Sequence, residues 1–507
     1  MNARGSLRQL LPWVGVASLS LLFRLPALIN AAATNSDAAI VGLQAMHLLR
    51  GEWSALLFGS TYQTSADSVV AAGFFAALGP TPLALMLSSL TLHVALTLMA
   101  MLALRRHVPV TTAAVLSLTL VLTTSCLHSY ALYPPRQLSL TLAMAALLAL
   151  DGATSRARFA AGGLLTTFAW LADPYAMLLF PALCALAALG LHASRDRWRS
   201  AAAWLAGLGI GGALLAALAL HPQAQRSVAA LSFSVVSHNA ALLVDSCFPW
   251  MSGAAIYAPA HWMDYERLAV SLPLQATQWL GVAVVSAAAV YGALAMARAG
   301  VAPGVRRLAA FAWVAIASTL GGFLLSRMVM DQFSMRYLAA IVVVLPFALL
   351  PLGVRLGATR LVLALSPYLV QAAIGGWLGF GPYVSGATIV LTASGRANDE
   401  AALVRALEAR GVREAIADYW SAYRLTFLAR ERVVFVPLHA AQDRYAPYRA
   451  RFERAPRVAY VFDELRSFES RADTERDWLA SGAFAPDAER IDIGVFHALV
   501  LTRAPAR

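Results

Sequence analysis

The chain has 507 residues, of which 59% are hydrophobic and only 13% charged, about half the charged fraction of roughly 25% usual in soluble domains. Its net charge of +12 is carried by arginine alone, since no lysine occurs. The arginines are spread over short loops and not gathered in one stripe, which argues against a nucleic-acid surface. Cys126, Cys184 and Cys247 lie far apart, two of them in apolar runs, and indicate neither a disulfide framework nor a metal site.

Apolar runs of helix-spanning length recur, so the expected fold is a polytopic α-helical membrane protein. In chain order the predicted spans are Leu10–Leu28, Pro82–Leu104, Val108–Leu127, Pro135–Leu150, Phe159–Leu171, Pro174–Leu191, Ala201–Leu220, Leu274–Met296, Leu308–Leu325, Tyr337–Leu352 and Leu361–Leu378, eleven in all. The first has no A-x-A-like cleavage site and reads as a retained helix. The fifth and sixth are short, and could instead be half-helices of one re-entrant hairpin broken at Asp173-Pro174.

With the N-terminus placed in the cytoplasm, the inner loops carry Arg4, Arg8, Arg105, Arg106, Arg156, Arg158, Arg195, Arg197, Arg199, Arg298, Arg306, Arg307, Arg355 and Arg360. The opposite loops are poor in arginine, which satisfies the positive-inside rule. Of the ten acids before residue 380, only Asp151 and Asp196 fall inside; Asp37, Glu52, Asp67, Asp173, Asp245, Asp264, Glu266 and Asp331 fall outside or at the outer edge. That asymmetry puts the chemistry on the outer side.

Two outer loops are long, 29–81 and 221–273, and loops of such length in a compact bundle are usually functional. The first contains AAIVGLQAMHLLRG, apolar at helical spacing, which predicts a helix lying flat on the membrane. Residues 1–384 are read as the membrane domain. From 385 to 507 the composition changes to 18 arginines and 17 acids. Strand and helix signals alternate there: strands at Ala387–Thr392, Val412–Ala417, Val433–Pro437, Val458–Phe462 and within Arg490–Thr502, and helices at Asp399–Arg410, Trp420–Ala429, Tyr445–Arg454 and Thr474–Leu479. This pattern predicts a small α/β domain on the periplasmic side.

Asp37 stands about ten residues past the first span, and a carboxylate held so near a bilayer is costly unless it has work to do. It suits a general base for a transferred group; the TNSD run that contains it, Thr34–Asp37, would equally cap the following helix. Arg336, Arg136 and Arg24 stand at or near outer helix ends. They could converge on a lipid phosphate, which guanidinium matches in a bidentate way, or simply snorkel to the interface. Asp67, Asp173 and Asp331 are weaker candidates, Asp173 reading better as a cap before Pro174. His238 with Asp245, and His261 with Asp264, could shape an acceptor cleft or bind a metal, though neither pair has metal-ligand spacing. Tyr62, Trp250, Trp262 and Tyr265 could stack on sugars or belong to the interfacial aromatic belt.

The stretch SDAAIVGLQAMHLLRGE, followed by a tyrosine-containing turn and AALGPTPLAL, resembles the GT-C superfamily of integral membrane glycosyltransferases. The resemblance is strongest to the bacterial branch of protein O-mannosyltransferases and the aminoarabinose transferase of lipid A. It is local to about residues 25–95, with lesser echoes in YPPRQLSLTL, WLADPYA, MRYL and DYWSAYRLTFLARERVVFVP. It implies eleven to thirteen spans, often with a C-terminal outer domain, and inverting transfer of a sugar from a polyprenyl-phosphate donor to a lipid, glycan or protein. The family's catalytic acid falls on Asp37 and its phosphate arginine on Arg336, with Arg136 and Arg24 less secure. Tyr62, Asp67, His238 and His261 are assigned to substrate. Where many members have two adjacent acids this chain has Ser36-Asp37, so no metal cofactor is favoured. A transporter or lipid flippase would want charges near mid-membrane, whereas here they collect at the outer edge; a non-catalytic envelope assembly protein is the third reading.

Overall fold

The computed structural model describes residues 3–220, 232–261, 264–298, 300–378, 384–385, 388–389, 395–464, 471–480 and 488–503. The membrane part runs α1 (Ala3–Phe23), α2 (Leu25–Ile29), α3 (Ser36–Leu49), α4 (Ala66–Leu78), α5 (Pro82–Leu104), α6 (Val110–Val121), α7 (Ser125–Leu132), α8 (Gln137–Leu150), α9 (Arg156–Ala172), α10 (Phe180–His192), α11 (Arg197–Ala219), α12 (Phe233–Leu242) and α13 (Phe248–Ser252). A hairpin of β1 (Tyr257–His261) and β2 (Asp264–Arg267) then leads to α14 (Leu272–Met296), α15 (Pro303–Leu325), α16 (Ala339–Ala348) and α17 (Leu350–Leu378). Among the described residues six helical segments are long and apolar enough to cross a membrane, and only 11% of the most apolar window of the Arg197–Leu218 segment is buried by protein. Leu205, Ile210 and Leu214 are exposed on it. A face so apolar and so uncovered is stable only in lipid, and the protein is a multi-pass membrane protein.

Every predicted span falls on helix, but several are interrupted. The third breaks after α6, where Leu122 leaves the helical region, and restarts as α7. The tenth begins earlier than predicted, in a 3-10 turn at Gln332–Leu338 that Asp331 caps, and Gly357 (φ 68°) breaks the helix in the loop predicted between the last two spans. Pro174–His192 is long enough to cross alone, which removes the reason for a re-entrant hairpin there. Where α9 meets α11 the backbones touch closely: a Cβ on Gly163 would meet the Trp204 carbonyl, and one on Gly207 the Ala160 carbonyl. Small residues are the usual means of such contact between helices in lipid.

After two short strands, β3 (Val384–Ser385) and β4 (Thr388–Ile389), the C-terminal domain follows its predicted alternation to within about four residues: α18 (Gly395–Ala409), β5 (Glu414–Ala417), α19 (Tyr419–Leu428), β6 (Val434–Pro437), α20 (Ala446–Arg454), β7 (Arg457–Asp463), α21 (Arg471–Ala480), β8 (Glu489–Ile493) and β9 (Phe496–Thr502). The predicted strand at 387–392 lies mostly outside the described residues, as does Trp262. The main sheet has the order β6-β5-β7-β9-β8, parallel through β6, β5 and β7 and antiparallel at β9 and β8. Alternate side chains supply two cores: Ala459 and Val461 face one, Val458, Tyr460 and Phe462 the other.

That second core is shared with the membrane part. It joins Ile40, Leu43, Ala71 and Phe75 of α3 and α4 to Tyr419, Tyr423 and Phe427 of α19. Helix α3 therefore does not lie on the membrane with one face free. It is buried on nearly all sides beneath the domain, which accounts for its small and apolar residues all round. Polar groups pin the same junction: His47 bonds Glu52 at 2.6 Å and Glu431 at 2.9 Å, and Arg50 donates to Glu431 at 2.6 Å. Gly42 lets α3 close on α19, for a Cβ there would meet the Phe427 ring at 2.8 Å. That ring is 1% exposed and stacked on Phe75, so it has nowhere to swing. Gly42→Ala is expected to cost about 1–3 kcal/mol by overpacking, read as a lower melting temperature and earlier proteolytic release of the domain.

Candidate active site

Helix breaks on the domain-bearing face gather around Arg136. This residue precedes α8 at φ 100°, a left-handed conformation that costs a non-glycine residue about 1–3 kcal/mol and persists only where the surroundings dictate it. Its guanidinium donates to Tyr130 Oη at 2.7 Å and lies 5.4, 5.7 and 5.2 Å from the rings of Tyr130, Tyr175 and Tyr337. Tyr175 is itself fixed, donating to the Tyr337 carbonyl at 3.1 Å and accepting from the Ala340 N–H at 2.9 Å. Arg336 shares the Tyr337 ring, 5.0 Å away, and sits 4.4 Å from that of Phe333.

Two cations on one aromatic wall attract anions. Asp173 lies 3.5 Å from Arg136 Nε, while its Oδ1 accepts from the Tyr175 N–H and its Oδ2 from Gln63, both at 2.7 Å. It is thus both the cap foreseen and a part of the cluster. Asp67, at the start of α4, accepts from the Arg136 backbone N–H at 3.3 Å. Burial pushes its carboxyl up to about 7, so near neutral pH about half of it carries no charge. Among the described residues Arg336 has no carboxylate within ion-pair distance. The cluster sets two guanidinium groups against a shared wall of Tyr130, Tyr175 and Tyr337.

Asp37 lies in the first turn of α3, and the cap role falls to Asn35, whose side chain accepts from the Ala38 N–H at 2.8 Å. Tyr419 of the C-terminal domain donates to Asp37 Oδ1 at 2.7 Å. Arg444 donates to the same phenol oxygen from Nε at 3.2 Å and Nη2 at 3.1 Å, and from Nη1 to the Gly59 carbonyl at 3.2 Å. Burial and the neighbouring Asp37 charge push the Tyr419 phenol well above its ordinary range, so it stays a neutral donor. Tyr62 is near enough to feel the charges of Arg136, Asp173 and Arg444, which brings the two groups of residues to one region. Tyr419 and Arg444 were not foreseen: they stand about 380 and 410 residues from Asp37, and no local pattern marks them.

The fold matches two crystal structures of ArnT from Cupriavidus metallidurans. The apo form superposes with a TM-score of 0.58 at 14% identity, covering 97% of this chain and 98% of that one. The form bound to undecaprenyl phosphate gives 0.60 at 12% identity, covering 100% and 99%. The chain has the fold of these ArnT structures. No protein-family model matches it, and no curated protein matches it in sequence.

The other predicted residues take separate places in the helical bundle. Arg24 is fully buried; it bonds His93 at 2.9 Å and the carbonyls of Ser20 and Val121, partners unlike those around Arg136. Asp331 caps the turn that carries Arg336, accepting from the Ser334 N–H at 3.0 Å, and so orients the guanidinium. Ser36, the residue before Asp37, is committed to the domain: its Oγ donates to the Tyr419 carbonyl at 2.7 Å. His238 is exposed on α12 and lines a groove of about 330 Å³ with Arg327. His261 ends β1, opposite Asp264, and Trp250 is buried against Tyr257 and Phe333.

Proposed function

We propose that the protein is an integral membrane glycosyltransferase. It takes a hexose or pentose from a polyprenyl-phosphate donor and passes it to a hydroxyl or amine of a lipid, glycan or protein at the periplasmic face of a bacterial inner membrane. The observation that carries this reading is the paired guanidinium recess of Arg136 and Arg336 at helix breaks of a GT-C fold, with Asp37 in the same region. The ArnT structure with undecaprenyl phosphate supports the lipid class of the donor.

The chemistry follows from the groups present. The acceptor oxygen or nitrogen attacks C1 of the sugar, its proton passes to the Asp37 carboxylate, and the C1–O bond to phosphate breaks with inversion. The departing polyprenyl phosphate needs charge stabilisation, not a proton, and fixed guanidinium groups supply it best in a water-poor recess. Asp37 is the proposed base, Arg336 and Arg136 the phosphate clamp, and Tyr62 and Asp67 line the sugar side. Arg24, with its own buried partners, supports the bundle instead.

The test is a transfer assay in nanodiscs, with labelled polyprenyl-phosphate hexoses and pentoses and an envelope extract as acceptor. Acceptor-dependent release of polyprenyl phosphate with an inverted product is expected. Passage of the intact lipid across the bilayer without any product would replace the enzyme by a flippase.

A further inference from the structure

The side chain closest to Asp37 belongs to the far end of the chain. Guanidinium is a donor only, and Arg444 presents two N–H groups to the Tyr419 oxygen. That oxygen must therefore accept from Arg444, and its own hydrogen is left to point at Asp37 Oδ1, 2.7 Å away. The direction of the chain Arg444 to Tyr419 to Asp37 is fixed by donor count, with no freedom for the phenol to turn. Arg444 is anchored in its turn on the Gly59 carbonyl. Its Cα and side chain approach Gly59 so closely that a Cβ there would meet them at 2.4 and 2.6 Å. The backbone of Tyr419 is held as well, its carbonyl accepting from Ser36 Oγ, one residue before the carboxylate it serves.

Resting on the reading of Asp37 as the base, we infer that Tyr419, oriented by Arg444, is a positioning residue for the reaction: the C-terminal domain completes the active site by occupying one carboxylate oxygen of Asp37 and directing the other toward the acceptor. A hydrogen bond to a charged group is strong and directional, and one held by a polarising guanidinium is stronger still. Without it the Asp37 carboxylate, in the first turn of α3, is free to turn about two bonds.

Tyr419→Phe removes one oxygen and keeps the ring that packs in the shared core. With the full-length protein in nanodiscs and a polyprenyl-phosphate sugar as donor, kcat is expected to fall about 10- to 100-fold, while donor KM stays within about twofold and the melting temperature and protease resistance of the domain are retained. Arg444→Lys keeps the charge but not the two-pronged grip, and is expected to fall between wild type and Tyr419→Phe. An unchanged kcat in Tyr419→Phe with the domain still docked overturns the inference; so does a loss of activity that only accompanies release of the domain, since Tyr419 would then be glue. Asp37→Asn separates the two levels. If that variant is fully active, the base assignment fails; if it is inactive while Tyr419→Phe is not, only the positioning role fails.

Discussion

Asp37→Asn is expected to lower the kcat of sugar transfer by about 10²–10⁴-fold, the usual worth of a positioned general base. The amide matches the carboxylate in shape and can still accept from Tyr419 through Oδ1, so α3 and its cap on Asn35 should be undisturbed. What disappears is the capacity to take a proton from the acceptor. Donor affinity should change far less, because the phosphate clamp belongs to other elements. Initial rates at saturating donor, set beside KM, give the split; kcat near wild type would remove Asp37 from the mechanism.

Arg136→Gln has the second large effect, a fall of about 10²–10³-fold in kcat, comparable to losing one preorganised donor at a developing charge. The glutamine leaves the aromatic wall of Tyr130, Tyr175 and Tyr337 in place but removes the cation those rings face. Arg136→Lys restores charge without the planar fork and should recover only part of the rate. Here, unlike at Asp37, polyprenyl-phosphate binding should weaken together with turnover. Titration of the lipid phosphate against wild type and both variants checks this, and equal affinities would move the clamp elsewhere.

Much of the architecture was legible from apolar length alone. Pro82–Leu104 was predicted to the residue, and the strands and helices of the C-terminal domain to within a turn, because alternation and periodicity are local signals. The interruptions were not. The bend at Leu122 sits inside an apolar run whose composition hardly changes, whereas the break at Gly357 falls in the arginine-bearing loop between the last two predicted spans. The flat amphipathic helix was misread for a different reason: Ala38, Ala39, Gly42 and Ala45 suit close packing on every side, but only the presence of a partner distinguishes that from a membrane surface. Asp37 was picked out by its position and Arg136 by its place at a helix end. The contacts of Tyr419 with Asp37 and of Arg444 with Gly59 span 382 and 385 residues, and the tyrosine wall gathers Tyr130, Tyr175 and Tyr337 from separate elements, for which a single sequence holds no pattern.

The burial of α3 beneath α19 also orders events during synthesis. About 370 residues separate Leu49 from Tyr419, so at about 5–20 residues per second the helix waits roughly 20–75 seconds for its cover. In that interval its apolar sides have water or lipid headgroups as neighbours. The ribosome must therefore deliver nearly the whole polypeptide before the proposed base acquires its surroundings.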